Sequence, residues 1–177
     1  MESITITSVT LNEVKELQAI GRETFLSTFS EGGSPENMTQ YLNGAFSLEK
    51  LTSELNNHDS QFYFAKQNNQ VIGYLKLNFE LSQTELQDSK AMEIERIYVL
   101  DEFHGKKVGL TLYNRALEVA EQRNIDYIWL GVWENNFKAL NFYKRQGFFE
   151  FDQHIFKLGD DEQTDLLMKL ELNKNKI

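Results

Sequence analysis

A twisted, mixed α/β sheet of about seven strands with helices on both faces is the fold class that this chain predicts. Three observations predict it. Short stretches rich in β-branched and aromatic residues recur from end to end, and stretches with apolar residues at helical spacing lie between them. One helix, near the middle, carries two neighbouring apolar stripes, an arc wide enough to need a sheet beneath it.

The elements follow in order. "SITITSV" alternates at period two and reads as a first strand. From Leu11 to Phe29 the residues Leu11, Val14, Leu17, Ile20 and Phe25 fall at helical spacing, with Thr10 or Asn12 as the cap. "EGGSPEN" breaks that helix, and Ser34 followed by Pro35 opens a second, short one through Tyr41 and Leu42. Ser47 repeats the capping signal before Leu48, Leu51 and Leu55. "SQFYFAKQ" and "QVIGYLKLNFE", separated by two asparagines, read as a hairpin. After the polar stretch "LSQTELQDSK" comes the strand "AMEIERIYVL" and then a helix from about Lys106 to Arg123. Its stripes are Val108-Leu112-Ala116-Val119 and Leu110-Tyr113-Leu117-Ala120. "YIWLGVW" is a buried strand, "NNFKALNFYKRQG" a short helix ended by Gly147, and "FFEFDQHIFKL" and "TDLLMKLEL" two closing strands. No repeat or linker interrupts the series, so residues 1–177 read as one domain.

The bulk composition narrows the function. Hydrophobic residues are 41% and charged residues 25%, the balance of a soluble globule. There is no cysteine, which excludes disulfides, thiolate metal sites and a covalent acyl-cysteine route. The three histidines, His58, His104 and His154, lack metal-ligand spacing, so no metal is expected. No apolar run suits a signal peptide or a membrane span, and the chain reads as cytoplasmic. A net charge of −9 disfavours nucleic acid and attracts cations. Self-association as a homo-oligomer is left open.

Chemistry concentrates in the second half. In "YVLDEFHGKKVGLTLY" a strand ends, turns and enters a helix. Backbone N–H groups at such a helix start point at an anion, and Lys106 and Lys107 add positive charge beside them. The plainer alternative is a solvated basic turn. In "EIERIY", Glu93 and Glu95 have the same strand parity, which places both opposite Ile94, Arg96 and Tyr98. Two carboxylates on one face can bind a cationic amine and take a proton from it. The competing reading is that one of them pairs with a lysine in the next strand.

These pieces together resemble the GCN5-related N-acetyltransferase superfamily. Its last motif, Asn-x-x-Ala-x-x-Phe-Tyr-x-x-x-Gly-Phe, is matched by Asn136, Ala139, Phe142, Tyr143, Gly147 and Phe148. Its phosphate loop, Gln/Arg-x-x-Gly-x-Gly/Ala, aligns with His104, Lys107 and Gly109, so two of three signature positions depart. Lysine in place of the first glycine is unstrained only if φ there is negative. The stretches "ETFLSTF", "SPENMTQYLNGAF", "EIERIY", "WLGVWE" and "GDDEQTDLLM" are similar to the PaiA-type polyamine acetyltransferases.

The resemblance implies acetyl transfer from acetyl-CoA, without a metal, to a small cationic amine such as spermidine or spermine. It implies a pyrophosphate held by the backbone of His104, Gly105, Lys106, Lys107, Val108, Gly109 and Leu110. Ile97, Tyr98 and Val99 would meet the pantetheine arm, Asn136 would bond it from the other side, and Arg145 or Lys144 would meet a phosphate. Tyr143 falls at the acid position, and either Glu93 or Glu95 serves as base, directly or through water. Trp133 and Glu134 lie near the acceptor, and Phe29 and Tyr41 wall its channel unless they are plain core. Two other functions compete: a peptide or protein N-terminal acetyltransferase with the same cofactor apparatus, and a non-catalytic CoA-binding regulatory module.

Overall fold

The computed structural model describes residues 3–172. Seven strands form one sheet in the order β1-β2-β3-β4-β5-β7-β6. They are β1 (Thr5–Ser8), β2 (Ser60–Gln67), β3 (Gln70–Asn78), β4 (Ala91–Val99), β5 (Tyr127–Trp133), β6 (Phe149–Leu158) and β7 (Asp161–Glu171). All neighbours are antiparallel except β4 and β5, the one parallel pair.

The sheet separates two cores. On one face lie α1 (Val14–Phe29), α2 (Pro35–Ala45) and α3 (Leu48–Asn56), which bury Leu17, Ile20, Phe25, Leu42 and Leu51 with Phe64 and Tyr74 of the sheet. On the other face lie α4 (Val108–Gln122) and α5 (Phe137–Arg145). There Leu112, Ala116, Val119 and Tyr143 pack with Ile72, Leu75, Ile94, Ile128 and Met168. The two stripes of α4 are both used, as an arc that wide requires.

Local chemistry sets the helix starts. The amide of Thr10 donates to the Glu13 carboxylate at 2.9 Å, and a short 3₁₀ turn over Leu11–Glu13 leads into α1. Ser34 and Ser47 accept from Asn37 N and Lys50 N, capping α2 and α3. The helix expected from Lys106 starts two residues later, because Lys107 stands in the left-handed region at φ 65°. The last strand begins at Asp161, three residues before the expected "TDLLMKLEL".

The largest departure from the strand pattern is in β4. Lys76 of β3 faces Arg96 and the next residue, Leu77, faces Ile94, so Glu95 is an extra residue in a β-bulge. A bulge reverses the alternation beyond it. Ile94 packs towards α4, but so do Ile97 and Val99, three and five residues on. Glu93, Glu95, Arg96 and Tyr98 therefore all turn to the α1–α3 face. The expectation that Arg96 and Tyr98 lie opposite the two glutamates is corrected by this one inserted residue.

Candidate active site

β4 and β5 pair only from Ala91–Glu93 against Tyr127–Trp129 and then diverge. The bulge is where they part. Leu100 N donates to Ile72 O of β3, so by alternation the backbone of Tyr98 also serves β3, while Ile97 and Val99 turn theirs toward β5. With the ladder ended, those groups border an open cleft. Of the three residues expected to meet an extended ligand, Ile97 and Val99 present backbone to it and Tyr98 presents only its ring. The Val99 carbonyl is engaged as well, since His104 Nε2 lies 2.8 Å from it.

A cavity of about 260 Å³ fills the divergence. Phe25, Phe29, Tyr41, Trp133 and Phe156 wall it on the α1–α3 side, and Asn136, Ala139 and Tyr143 reach it from α5. Rings meet along that wall, with Phe25 on Tyr41 at 4.6 Å and Phe29 against Trp133 at 5.7 Å. Phe29 and Tyr41 thus line the cavity and also belong to the core beneath it. Asn136 caps α5, its Oδ1 accepting from Ala139 N at 3.1 Å, which leaves its amide NH₂ as the group able to donate into the cleft.

The two glutamates have different surroundings. Glu93, 3% exposed, accepts from Thr84 Oγ1 at 2.6 Å, Thr84 N at 2.9 Å and Asn78 Nδ2 at 3.0 Å. Burial and then the charge of Glu95 push its pKa up, outweighing those hydrogen bonds. Glu95 meets Lys76 Nζ at 2.5 Å, Arg96 at 3.2 Å and Asn78 Nδ2 at 2.5 Å. Burial alone would raise it, but Arg96 and Lys76 hold it at about 2. The lysine-pairing alternative is therefore realised, at Glu95. Glu54 of α3 completes this set, 3.1 Å from Lys76 and 3.7 Å from Arg96.

Tyr143 is 5% exposed, with its ring edge-on to Phe142 and Phe148. Burial pushes its hydroxyl well above the ordinary value, so it stays protonated as a donor. On β7, Asp165 also faces the cavity, and burial raises it to about 6 against the pull of His154.

The turn into α4 has the character of an anion cradle. Thr111 N makes the first bond back into the helix, to Lys107 O, so the N–H groups of Val108, Gly109 and Leu110 precede any intrahelical acceptor. A side chain at Gly109 would meet, among the described residues, nothing nearer than Val99 Cγ2 at 3.9 Å. That leaves room for a diphosphate. Gly105, at φ 77°, and Lys107 both take the left-handed backbone that suits glycine. Lysine at 107 therefore carries the strain that the sequence made conditional on a positive φ.

Three expected residues stand elsewhere. Glu134 is exposed and outside the cavity, since Trp133 before it points to the α1–α3 face and the alternation turns Glu134 away. Arg145 and Lys144 are exposed at the far end of α5, and Arg145 points about 200° round the helix from Tyr143. The α5 cation that reaches the loop is Lys138, whose Nζ is 3.0 Å from His104 Nδ1. Sequence reasoning also missed Asn78, Thr84, Glu85, His154 and Asp165. Thr84 and Glu85 sit in the polar stretch before β4, pinned over the sheet by a 2.7 Å bond from Trp129 Nε1 to Gln83. Parity could have placed Asp165 on the face of Trp133, had β7 been known to run beside β5.

Comparison with known proteins gives the family and the fold. The model of the Acetyltransferase (GNAT) family matches residues 20–148. An uncharacterized N-acetyltransferase of Lactobacillus delbrueckii subsp. lactis is 41% identical over 97% of this chain and 99% of its own length. A spermidine N(1)-acetyltransferase of Thermoplasma acidophilum is 26% identical over 94% of this chain and 96% of its own. Among solved structures, the PaiA N-acetyltransferase of Thermoplasma acidophilum in complex with coenzyme A superposes with TM-score 0.80 at 24% identity, covering 96% of this chain and 99% of that one. The chain belongs to the GNAT family of acetyltransferases, whose acetyl donor is acetyl-CoA.

Proposed function

We propose that the chain, as one cytoplasmic domain over 1–177, acetylates a primary amine of a polyamine such as spermidine or spermine, by direct attack within a ternary complex. The observation that carries this reading is the cavity, lined by the carboxylates Glu85, Glu93, Glu95 and Asp165 and clad by aromatic rings. Short chains of methylenes between ammonium groups suit such walls. The spermidine-acetylating relative supports the same acceptor class.

Acetyl-CoA, when bound, supplies a thioester from which the amine nitrogen takes the acetyl carbon as the C–S bond breaks. The amides of Val108, Gly109 and Leu110, with Lys106, Lys107 and Lys138 near them, would hold its diphosphate. Ile97, Val99 N and Asn136 would hold its arm. The chain's own tasks are two proton transfers. An acceptor ammonium, with pKa near 10.4, must lose a proton before it can attack. Glu93 receives it, because its raised pKa makes it the better base and Thr84 and Asn78 fix its orientation. Glu95, held at about 2 by Arg96 and Lys76 against its burial, is unsuited to that role. Tyr143 supplies a proton to the departing sulfur.

Tyr143→Phe and Glu93→Gln each lower single-turnover acetylation of spermidine by about 10²–10⁴-fold, with acetyl-CoA affinity by calorimetry nearly unchanged. In the wild type the rate rises with pH through the raised Glu93 pKa, because only the ionised carboxylate accepts a proton. Glu93→Gln removes that limb of the profile. Wild-type single-turnover rates in both variants would reduce these residues to packing. Efficient acetylation of peptide amines without polyamine turnover would reject the acceptor class and favour peptide N-terminal acetylation.

A further inference from the structure

Of the cavity's carboxylates that neither proton transfer uses, one lacks the ion pairs that engage Glu95. Asp165 stands opposite Trp133 in the β5–β7 ladder and opposite His154 in the β6–β7 ladder. Its side chain leans over Gly131 of β5. A β-carbon at Gly131 would stand 3.7 Å from Asp165 Oδ2 and 3.8 Å from His154 Cε1, so the missing side chain leaves the cavity floor open between them and the cleft. Among the described residues, the Asp165 carboxylate has neither a hydrogen bond nor an ion pair. His154 Nδ1 is buried and also lacks a partner, while its Nε2 lies 3.8 Å from Glu85 Oε1.

Such a set is costly unless something fills it. A carboxylate removed from water without a partner is unfavourable, and an unpaired buried ring nitrogen adds to the penalty. Glu93, by contrast, has three donors. The backbone positions beneath the two carboxylates are also well separated. Glu93 faces Trp129 across the β4–β5 ladder, and Asp165 lies over Gly131, two residues further along β5. With strand spacing and rise as usual, the two positions are about 8 Å apart.

We propose that Asp165, flanked by His154 and Glu85, anchors a second ammonium group of the acceptor while Glu93 receives the one to be acetylated. The enzyme then selects diamines and polyamines over monoamines. This rests on the amine-acetylating reading above and adds to it which acceptors are chosen and by what. The methylenes between the two nitrogens lie along Trp133, Phe29 and Phe156. The charged and titratable groups facing Asp165 are His154 of β6, Glu85 of the loop before β4, Glu93, Glu95 and Arg96 of β4, Tyr41 of α2 and Tyr143 of α5. Burial holds the Asp165 carboxyl at about 6 in the free cavity, and an ammonium beside it favours the ionised form.

The test compares putrescine with butylamine, which differ by one terminal ammonium, in the wild type and in Asp165→Asn. Truncating one side of a buried charge pair should raise KM for putrescine by about 30-fold or more, with a far smaller change for butylamine. Equal changes for the two amines, or no change for putrescine, would overturn the anchor while leaving polyamine acetylation intact. If neither amine is acetylated, the reaction assigned above fails, and calorimetric titration with putrescine still decides the anchor. Binding that Asp165→Asn weakens supports it, and absent or unaltered binding rejects it.

Discussion

A carboxylic acid partly buried in a cavity is easier to fold protonated than ionised, and Asp165 is so placed. Burial lifts it from its ordinary 3.8 to about 6, although His154 draws it down. Because the folded value exceeds the unfolded one, the penalty is absent below about 3.8, grows up to about 6 and is complete above that. Asp165→Asn should therefore stabilise the fold at pH 7–8 by up to about 3 kcal/mol and change little at pH 3.5. Urea unfolding at the two pH values measures it, and equal stability of the variant at pH 8 would mean that the carboxylate remains hydrated. Glu95 has the opposite sign. Held at about 2 by Arg96 and Lys76 despite burial, it contributes stability above its ordinary 4.5 that disappears as pH falls toward 2. Residue identity alone separates neither case. Glu93 and Glu95 are adjacent in pattern, and only the positions of Thr84, Lys76 and Arg96 separate a carboxylate with a raised pKa from one held in an ion-pair network.

The turn before α4 and the bulge in β4 are decided at the scale of the element. Lys107 at φ 65° holds a backbone conformation that costs an L-residue about 1–2 kcal/mol, and glycine there is free of it. Lys107→Gly should raise the melting temperature slightly, the gain being offset in part by glycine's greater freedom when unfolded. It should leave acetyl-CoA affinity within a few-fold. Gly109→Pro removes an N–H from the cradle and disfavours helical backbone at Val108, so affinity should fall by about tenfold or more. Calorimetry with the two variants checks this, and unchanged affinity in Gly109→Pro would remove the diphosphate from this turn. Each strand and helix was legible in periodicity and capping residues, because Ser34, Pro35, Ser47 and the apolar stripes of α4 state their roles locally. The bulge was not. An extra residue in "EIERIYV" leaves a sequence that still alternates acceptably in either register, and only β3, with Lys76 and Leu77 facing Arg96 and Ile94, reveals that Glu95 has no opposite residue in the ladder.

At the scale of the whole molecule, a cationic acceptor of the kind proposed and the anionic acetyl-CoA would meet differently charged parts of one cleft. The chain carries −9 overall, which was legible from composition, but its distribution was not. Glu85, Glu93 and Glu95 precede Lys106 in the sequence and Asp165 follows Lys138, and the fold alone brings the four carboxylates to one cavity. Lys106 and Lys107 stand in the turn before α4, and Lys138 reaches His104 of the same turn. Salt therefore acts on the substrates unequally. A polyamine is drawn both by the local carboxylates and by the global field, and screening weakens both, with a Debye length of about 10 Å at 0.1 M salt. For acetyl-CoA, screening weakens the local lysine attraction but also relieves repulsion from the net charge, and the two changes oppose each other. Raising monovalent salt from about 20 to 200 mM should increase KM several-fold for spermine and less for putrescine, following the number of ammonium groups. The KM for acetyl-CoA should move less than that for spermine. Steady-state kinetics across a salt series reads all three, and a flat response for spermine beside a steep one for acetyl-CoA would reverse this assignment of charge to the two sides of the cleft.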